Sequence, residues 1–330
     1  MRIVVLGAGS WGTTVASLVV GRHPTVLWAR KPEVADEINE EHTNSTYLAG
    51  CVLPPKLTAT DDIEKAVAQA ELLIVGVPSH GFRETLIAAK TTIHPWIPVV
   101  SLTKGLERDS LLRMTEVIKD VLPGHPAAAL TGPNIAREIM SGQAAASVIA
   151  TEDLAVAGAL QRILRRGLLR IYTNHDVIGC ELGGALKNVV ALACGMAQGL
   201  SVGDNTRAAV MTRGLAELTR LGVAMGGEPA TFAGLAGMGD LIATCISPHS
   251  RNRHVGEQLG AGRPLDEILG EMSMVAEGVK SAVTVHELAE RLDVAMPVCD
   301  QMYKVVTGAI SAADAYKGLR TPAGHEADPG

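Results

Sequence analysis

The chain begins Met1-Arg2-Ile3-Val4-Val5-Leu6-Gly7-Ala8-Gly9-Ser10-Trp11-Gly12, an apolar run that breaks into a glycine-rich turn. The apolar run is typical of a buried strand, and the glycines have the G-x-G-x-x-G spacing of a dinucleotide-binding turn. Gly7 permits the tight turn, Gly9 lets the backbone approach a pyrophosphate, and Gly12 lets the next helix pack closely on the strand. Helix-compatible residues 13–20 and a strand-like stretch at 25–29 follow. The pattern predicts a nucleotide-binding unit, with a purely structural glycine turn as the alternative.

The residues that open the predicted helix and end the second strand indicate how a nucleotide would be held. Ser10 and Trp11 lie where backbone N–H groups lack intrahelical acceptors and the helix dipole is positive, so we expect a diphosphate there. An acid at the end of the second strand usually bonds the ribose 2′-hydroxyl of NAD, whereas a 2′-phosphate needs cations. This chain has Arg30 and Lys31 there, with no acid before Glu33. We therefore expect NADP(H) to be preferred over NAD(H). The alternative is that Arg30 and Lys31 are ordinary surface residues of a loop without a binding role.

Length and composition limit the class of protein. At 330 residues the chain exceeds the usual size of a single-core domain, so two domains are expected. An aromatic content of 3% and a net charge of −6 argue against binding of nucleic acid or an anionic membrane. The 5 cysteines are scattered and the histidines lack ligand spacing, which predicts neither a disulfide framework nor a metal site.

The same survey finds no targeting or membrane-spanning segment. A strand-like run follows Met1 at once, without the pattern of a secretory signal. The longest weakly polar stretch, residues 189–200, is too short to cross a bilayer. We expect a cytoplasmic protein.

The two halves of the chain differ in pattern. Strand-like and helix-compatible segments alternate up to about Asn174, which predicts a mainly parallel sheet covered by helices. The later strand-like segments are residues 72–77, 99–102, 127–130, 145–150 and 169–172. From Gly179 onward apolar residues recur at helical spacing. The predicted fold class is an α/β N-terminal Rossmann-type dinucleotide-binding domain (1–178) followed by an all-α C-terminal domain (179–330), with a disordered tail at 321–330.

Three loops of the first half are expected to meet, because ligands bind beyond the carboxyl ends of parallel strands. They are Val77-Pro78-Ser79-His80, Thr103-Lys104-Gly105 and Thr131-Gly132-Pro133-Asn134. We expect these loops to line one crevice. The alternative is that the prolines and glycines only end the strands and that the three loops share no binding role.

Lys187 is the outlier of the helical half, because its neighbours in Gly183-Gly184-Ala185-Leu186-Lys187-Asn188-Val189-Val190 are mostly small or apolar. Such a lysine either snorkels to solvent or faces a polar cleft. Gly183 lies on the same helix face and would leave room for a ligand beside the amine. The amine is therefore a candidate for proton transfer, with a structural snorkelling lysine as the alternative.

A further polar cluster follows Gly237-Met238-Gly239-Asp240. Ser250 is typical of a helix N-cap, which places Arg251 and Asn252 in the first turn. Backbone N–H groups, a guanidinium and an amide can converge there on a phosphate. The pattern predicts an anion site, unless Arg251 is only a solvated surface residue.

Seven motifs together closely resemble those of the bacterial glycerol-3-phosphate dehydrogenase [NAD(P)+] family. They are residues 7–12 and 77–80, 103–106, 132–134, 181–189, 237–241 and 250–252. Their order, across nearly the whole chain, is far more specific than any single motif. The resemblance implies interconversion of dihydroxyacetone phosphate and sn-glycerol 3-phosphate by a nicotinamide cofactor, for phospholipid synthesis. It also implies a homodimer.

The resemblance assigns roles residue by residue. Lys187 is similar to the family's proton acceptor, and Lys104 and Asp240 join it as catalytic candidates, with Asp240 orienting the amine. The substrate contacts it implies are Lys104, Gly132, Asn134, Lys187, Asp240, Ser250, Arg251 and Asn252. The cofactor contacts it implies are Gly7, Gly9, Ser10, Trp11, Gly12, Arg30, Lys104, Ala136, Arg251, Val275 and Glu277, to which we add Lys31. Position 134 is Asn where many bacterial members have Ser or Thr, and an amide can still bond a hydroxyl.

Two other functions stay open from the residues. A dehydrogenase of the 3-hydroxyisobutyrate or 6-phosphogluconate type joins a similar dinucleotide domain to a helical domain and also uses a lysine, but the cluster at 250–252 disfavours it. A non-catalytic NADP(H)-sensing protein is disfavoured because it needs no proton-transfer lysine.

Overall fold

The computed structural model describes residues 1–272 and 275–318. The chain divides into two compact units, Met1–Val177 and Ile178–Gly330. The predicted disordered tail at 321–330 lies outside the described residues.

A sheet of eight strands forms the centre of the first unit in the described residues. The strands are β1 (Ile3–Leu6), β2 (Thr25–Trp28), β3 (Thr58–Thr60), β4 (Leu72–Val75), β5 (Val99–Ser101), β6 (Ala127–Thr131), β7 (Ala145–Ala150) and β8 (Leu169–Asn174). They lie in the order β3-β2-β1-β4-β5-β6-β7-β8. Neighbours are parallel except β6 and β7. The order around β1 is that of a dinucleotide-binding sheet.

Helices cover both faces of this sheet, because β1 is apolar on both faces. Its residues Ile3 and Val5 belong to one buried cluster and Val4 and Leu6 to the other, as the alternation of side chains along a strand requires. The helices are α1 (Ser10–Val19), α2 (Pro32–Glu40), α3 (Ser45–Leu48), α4 (Ile63–Val67), α5 (Phe82–Lys90), α6 (Met114–Val121), α7 (Ala136–Met140) and α8 (Leu154–Leu164), with a 3₁₀ turn at Ser79–Gly81.

Strand β3 was not predicted from the sequence. This strand has the sequence Thr58-Ala59-Thr60, is partly exposed, and pairs with β2 at the edge of the sheet. An edge strand of this length has no apolar run, so hydrophobic pattern does not reveal it.

The second unit is helical in its described residues, which together with the sheet confirms the predicted fold class. Its helices are α9 (Val177–Gly199), α10 (Asp204–Ala224), α11 (Pro229–Phe232), α12 (Asp240–Ile246), α13 (Arg251–Gly260), α14 (Leu265–Gly270), α15 (Glu277–Leu292), α16 (Pro297–Val306) and α17 (Ala312–Gly318). A turn of π-helix at Leu235–Gly239 precedes α12.

Helix α9 is the core helix of this unit. Among the described residues, two segments have the length and apolarity of a membrane span, α9 and Pro229–Ile246, with 94% and 39% of their most apolar windows buried inside the protein. The expectation that no apolar segment is long enough was therefore wrong on length, because α9 begins well before the stretch at 189–200. Burial of α9 is what a core helix requires, and length alone does not indicate a span.

Glycines bring α9 and α13 into backbone contact. A Cβ on Gly195 would lie 2.0 Å from the carbonyl oxygen of Arg253, and a Cβ on Gly256 would lie 2.0 Å from that of Leu192. Larger residues would force the helices apart. This close approach sets the N-terminus of α13 relative to the middle of α9, where Lys187 lies.

Candidate functional site

The glycine turn, defined as residues 7–12, has the geometry that its sequence predicts. Gly7 has φ +112°, which favours glycine, and its N–H donates to the Trp28 carbonyl at 3.0 Å. A Cβ on Gly12 would lie 2.0 Å from the Gly7 carbonyl oxygen. Both glycines are therefore required by the path of the backbone.

The glycine turn also fits a dinucleotide, by observations on its own atoms. A Cβ on Gly9 would meet no atom of the described residues within 4 Å, so the backbone is open to a ligand there. Gly9 is the N-cap of α1 and offers no side-chain oxygen, so the first N–H groups of Ser10 and Trp11 remain available to an anion. The Nε1 atom of Trp11 is buried and has no hydrogen-bond partner in the described part of the chain.

Asn44 supports the turn from outside it. The Ala8 carbonyl oxygen accepts from Asn44 Nδ2 at 2.8 Å and from Thr13 Oγ1 at 3.1 Å. Sequence reasoning missed Asn44, since nothing near it in the chain marks it as part of this turn.

Arg30 and Lys31 follow β2 and are exposed. Neither forms an ion pair within residues 1–272 and 275–318. Two cations thus stand uncompensated by carboxylates beyond the strand next to β1, where a 2′-phosphate is recognised in this fold.

The loops after β5 and β6 meet, as predicted for Lys104, Gly132 and Asn134. Lys104 Nζ donates to the Gly132 carbonyl oxygen at 2.9 Å and to Asn134 Oδ1 at 2.7 Å. Asn134 Nδ2 in turn donates to Ser147 Oγ at 3.4 Å. Ala136 begins α7 and packs against the same apolar cluster as Trp11. The structure therefore brings these four candidates of the first unit close to the sheet.

Lys187 is buried in the second unit, with 4% of its surface exposed, beside Asp240, with 2%. Its Nζ lies 2.7 Å from Thr244 Oγ1, 3.1 Å from Asn188 Oδ1 and 3.3 Å from Asp240 Oδ1. Three acceptors match the three N–H donors of an ammonium. The side chain does not snorkel, because its amine is held inside the unit.

The polar cluster extends from Lys187 to the start of α13 and α15. Asn252 Nδ2 donates to Asn188 Oδ1 at 2.9 Å, and Asn252 Oδ1 accepts from the Gly278 N–H at 2.9 Å. We call Lys187, Asn188, Asp240, Thr244 and Asn252 the lysine network. The side-chain amide of Asn252 is therefore already used within the unit. The group of Asn252 that can bind an anion is its backbone N–H.

Gly183 has another role than the one its spacing suggested. A Cβ on Gly183 would lie 2.6 Å from the Ala236 carbonyl oxygen. The space beside the helix is filled by the π-helical turn that leads into Asp240, not left open for a ligand. Gly183 therefore positions the carboxylate beside Lys187.

The N-terminus of α13 has the predicted cap. Ser250 Oγ accepts from the Arg253 N–H at 3.2 Å. Arg251 Nη1 donates to the Val275 carbonyl oxygen at 2.6 Å, which joins two of the predicted cofactor residues. Burial lowers the pKa of the Arg251 guanidinium, while the charge of Glu277, the first residue of α15, opposes that shift. No carboxylate in the described residues forms an ion pair with Arg251.

Sequence reasoning missed Thr244 and Asn188 as parts of the site. Thr244 lies four residues after Asp240 on α12, so both face the same side, and its hydroxyl donates to the Asp240 carbonyl oxygen at 2.7 Å. The spacing of four residues between Asp240 and Thr244 could have identified Thr244 from the sequence. Asn188 is adjacent to Lys187 in sequence, but its link to Asn252 depends on the packing of α9 against α13.

Other features of the described residues do not enlarge this site. No group of three or more His, Cys, Asp or Glu side chains in them is arranged to hold a metal ion. A cavity of about 560 Å³ in the first unit is lined by Arg22, Gln161, Arg165, Gly167, Leu169, Arg170, Ile171 and Tyr172. It includes none of the predicted site residues.

Comparison with known proteins gives one consistent result. Residues 2–157 and 176–317 match the N-terminal and C-terminal sequence profiles of NAD-dependent glycerol-3-phosphate dehydrogenase. A glycerol-3-phosphate dehydrogenase [NAD(P)+] of Sphingopyxis alaskensis is 59% identical, covering 100% of this chain and 99% of the relative. One of Mycobacterium avium is 52% identical, covering 98% and 96%.

The fold agrees with these sequence matches. A crystal structure of glycerol-3-phosphate dehydrogenase from Coxiella burnetii, 34% identical, superimposes with a TM-score of 0.94 over 97% of this chain and 99% of that one. The chain therefore belongs to the NAD-dependent glycerol-3-phosphate dehydrogenase family.

Proposed function

We propose that this protein is an NAD(P)-dependent sn-glycerol-3-phosphate dehydrogenase, which interconverts dihydroxyacetone phosphate and sn-glycerol 3-phosphate. The observation that carries the proposal is the buried Lys187 amine, held by Asp240, Thr244 and Asn188. The chain also has a dinucleotide turn, and its full-length relatives have this activity in their names. A protein that only senses a nucleotide has no use for a buried, oriented amine.

Lys187 moves the proton in this reaction. The chemistry that a nicotinamide cofactor would supply when bound is transfer of a hydride to or from C2 of the substrate. Lys187 donates a proton to the C2 oxygen as the carbonyl becomes a hydroxyl, and removes it in the reverse direction. Asp240 and Thr244 keep Nζ in place during this exchange.

Asn188 lowers the free-energy cost of turning one N–H of Lys187 from Asn188 to the substrate. A substrate oxygen needs one N–H of Lys187, and that N–H now donates to Asn188 Oδ1 at 3.1 Å. Asn188 Oδ1 also accepts from Asn252 at 2.9 Å, so release of Lys187 leaves no buried oxygen unpaired. The Thr244 contact, at 2.7 Å, remains.

The substrate phosphate is assigned to the start of α13. Arg251 offers guanidinium donors beyond the one bonded to Val275, and the first N–H groups of α13 point to the same end of the helix. Ser250 and Asn252 complete this substrate set. Binding energy at the phosphate would align C2 for hydride transfer.

The first unit supplies most of the remaining contacts, and Arg251, Val275 and Glu277 of the second unit supply the others. Lys104, Gly132 and Asn134 are assigned to the substrate, and the Lys104 amine is a second catalytic candidate in addition to Lys187. The cofactor contacts assigned are Gly7, Gly9, Ser10, Trp11, Gly12, Arg30, Lys31, Lys104, Ala136, Arg251, Val275 and Glu277. No metal is required by these roles.

The preferred cofactor is NADP(H), because Arg30 and Lys31 would pair with a 2′-phosphate. The kcat/KM for NADPH should fall about tenfold or more in Arg30→Ala, the loss of one charge-assisted hydrogen bond, while that for NADH stays the same. Lys90→Ala, an exposed lysine elsewhere in the first unit, is the control. An equal fall for both cofactors would overturn this preference.

The proposed setting is a cytoplasmic homodimer that supplies the glycerol phosphate backbone of phospholipids. Sedimentation of the purified protein tests the dimer. A single species of monomer mass at micromolar concentration would exclude it.

The activity itself is tested by mixing purified protein with NADPH and dihydroxyacetone phosphate and following nicotinamide absorbance. We expect oxidation of NADPH and formation of sn-glycerol 3-phosphate. Reduction of NADP⁺ by 3-hydroxyisobutyrate or 6-phosphogluconate, but not by sn-glycerol 3-phosphate, would favour the other dehydrogenase type. Binding of NADPH without turnover of any of these substrates would favour a sensor.

A further inference from the structure

Two cysteines that the proposed mechanism does not use lie together in the second unit. Cys194 is on α9, seven residues after Lys187, and Cys245 is on α12, directly after Thr244. Only 2% and 4% of their surfaces are exposed, and the neighbouring Cys245 thiol is the main cause of a raised pKa at Cys194. They are far apart in sequence, so the pair exists only because α9 and α12 pack together.

The two thiols line one cavity. It has a volume of about 320 Å³, and its other lining residues are Gln198, Asp204, Arg207, Ala208, Met211 and Ile246. Ile246 is 63% exposed, and Asp204 is exposed as well. A small polar molecule can therefore reach the thiols from solvent, although neither sulfur is itself at the surface.

We propose that Cys194 and Cys245 form a dithiol site that a hydroperoxide converts to a disulfide, and that this cross-link disables the lysine network. The first part stands on the thiol pair and its cavity. The second part rests on the proposed function, because it assumes that Lys187 transfers the proton.

The chemistry needs only the peroxide as co-reactant. One of the two thiols ionises and attacks the O–O bond of the hydroperoxide, so that an S–O bond forms, the O–O bond breaks, and the alcohol or water leaves with the proton that this thiol gave up. The other thiol then attacks the sulfenic sulfur, the S–S bond forms, and the sulfenic oxygen leaves as water with the proton of the second thiol. The thiols together lose two electrons, and the peroxide gains two.

The cross-link would act on Lys187 through α12. A disulfide holds its sulfurs about 2.0 Å apart, closer than two thiols that are not covalently bonded. Thr244 precedes Cys245, and Asp240 lies on the same short helix. Any shift of α12 toward α9 therefore changes the contacts of 2.7 Å and 3.3 Å that hold the Lys187 amine.

The test treats the reduced protein with graded hydrogen peroxide and follows two separate readouts. Alkylation and peptide mass analysis detect a Cys194–Cys245 cross-link, and steady-state assays give kcat. We expect the cross-link to form, kcat to fall about tenfold or more, and dithiothreitol to reverse both. NADPH binding should not change, because α12 carries none of the assigned cofactor contacts.

Variants make the test decisive. Cys194→Ala and Cys245→Ala should lose the cross-link and keep kcat after peroxide, whereas Cys51→Ala, a half-buried cysteine of the first unit, should behave as the parent does. Thermal unfolding of each variant identifies loss of folding. Sulfinic acid at either cysteine without the cross-link would overturn the dithiol site. A cross-link that leaves kcat unchanged would overturn its effect on the network. If the reduced protein has no activity, the proposed function fails while the mass readout still decides the dithiol site.

Discussion

The glycine turn and the lysine network are both assigned to ligand chemistry, but they are built in opposite ways. The turn offers backbone N–H groups and missing side chains, and its parts lie within six consecutive residues. The network consists of side chains from α9, α12 and α13, which are buried except for the half-buried Thr244. A site made of backbone groups is determined by adjacent residues in the sequence, whereas a site made of side chains depends on which helices pack together.

The comparison also separates two physical means of holding charge. At the glycine turn an anion would meet oriented dipoles and no fixed counter-charge. In the network an ammonium lies in a buried environment, where it is stable because a carboxylate, a hydroxyl and an amide oxygen surround it. Loss of a partner should therefore cost far more in the network than at an exposed cation.

Removal of the amine should have the largest effect. Lys187→Ala should lower kcat by about 10²- to 10⁴-fold, the usual contribution of a positioned proton donor, while NADPH binds with unchanged affinity. Steady-state kinetics and NADPH fluorescence titration measure the two quantities. Lys304→Ala, an exposed lysine of the same unit, is the control. Residual turnover within threefold of the parent would remove Lys187 from the mechanism.

Two glycine substitutions separate folding from binding in the glycine turn. Gly12→Ala places a methyl group 2.0 Å from the Gly7 carbonyl oxygen. This change should lower the free energy of unfolding by about 1–3 kcal/mol and should also weaken NADPH binding. Gly9→Ala meets no atom within 4 Å in the part of the chain that the structure describes, so the melting temperature should hold while NADPH affinity falls. Calorimetry and titration of both variants check this. Unchanged NADPH affinity in Gly9→Ala would show that no pyrophosphate approaches Gly9.

Thr244 tests whether the network orients the amine. Thr244→Val keeps the shape of the side chain but removes the acceptor 2.7 Å from Nζ, so kcat should fall about tenfold or more, as for a lost hydrogen bond to a charged group. Thr244→Ser should restore most of it and return the pH profile of kcat. In the matched control Thr219→Val, the lost hydroxyl also bonds a carbonyl four residues earlier in its own helix. Similar kinetics for both valine variants would reduce Thr244 to a structural role.

Glu217 is a buried carboxylate outside the lysine network, and no ion pair with a cation is seen for it in the described residues. Its burial should therefore be visible in the pH dependence of the free energy of unfolding. Burial raises its pKa to about 7, although the N–H groups of Val298 and Cys299 oppose the shift. The folded state then keeps a proton that the unfolded chain has lost, so the unfolding free energy falls as pH rises from about 4.5 to 7 and levels off above.

Glu217→Gln should flatten that part of the pH profile. Denaturant unfolding at several pH values between 4.5 and 8 measures the slope, with the exposed Glu267→Gln as control. A slope equal to that of the parent would show that Glu217 is ionised across this range in the folded protein.

The contrast between the two regions explains how far sequence reasoning reached. Gly7, Gly9, Gly12 and the helix that begins at Ser10 were predicted because turn, strand and helix signals are adjacent in the chain. The N-cap at Ser250 was predicted for the same reason. Asn44, the contact of Asn188 with Asn252, and the true role of Gly183 were missed, since each depends on residues distant in sequence.

The sequence by itself determined the dinucleotide turn, the alternation of strands and helices, and the identity of the lysine at position 187. These follow from local sterics and from apolar periodicity, which act within one or two elements. Only the tertiary structure decided which oxygens surround the Lys187 amine and which two thiols face each other. Both depend on glycine contacts that let α9 approach its neighbours, and the free energy of such packing belongs to the whole unit.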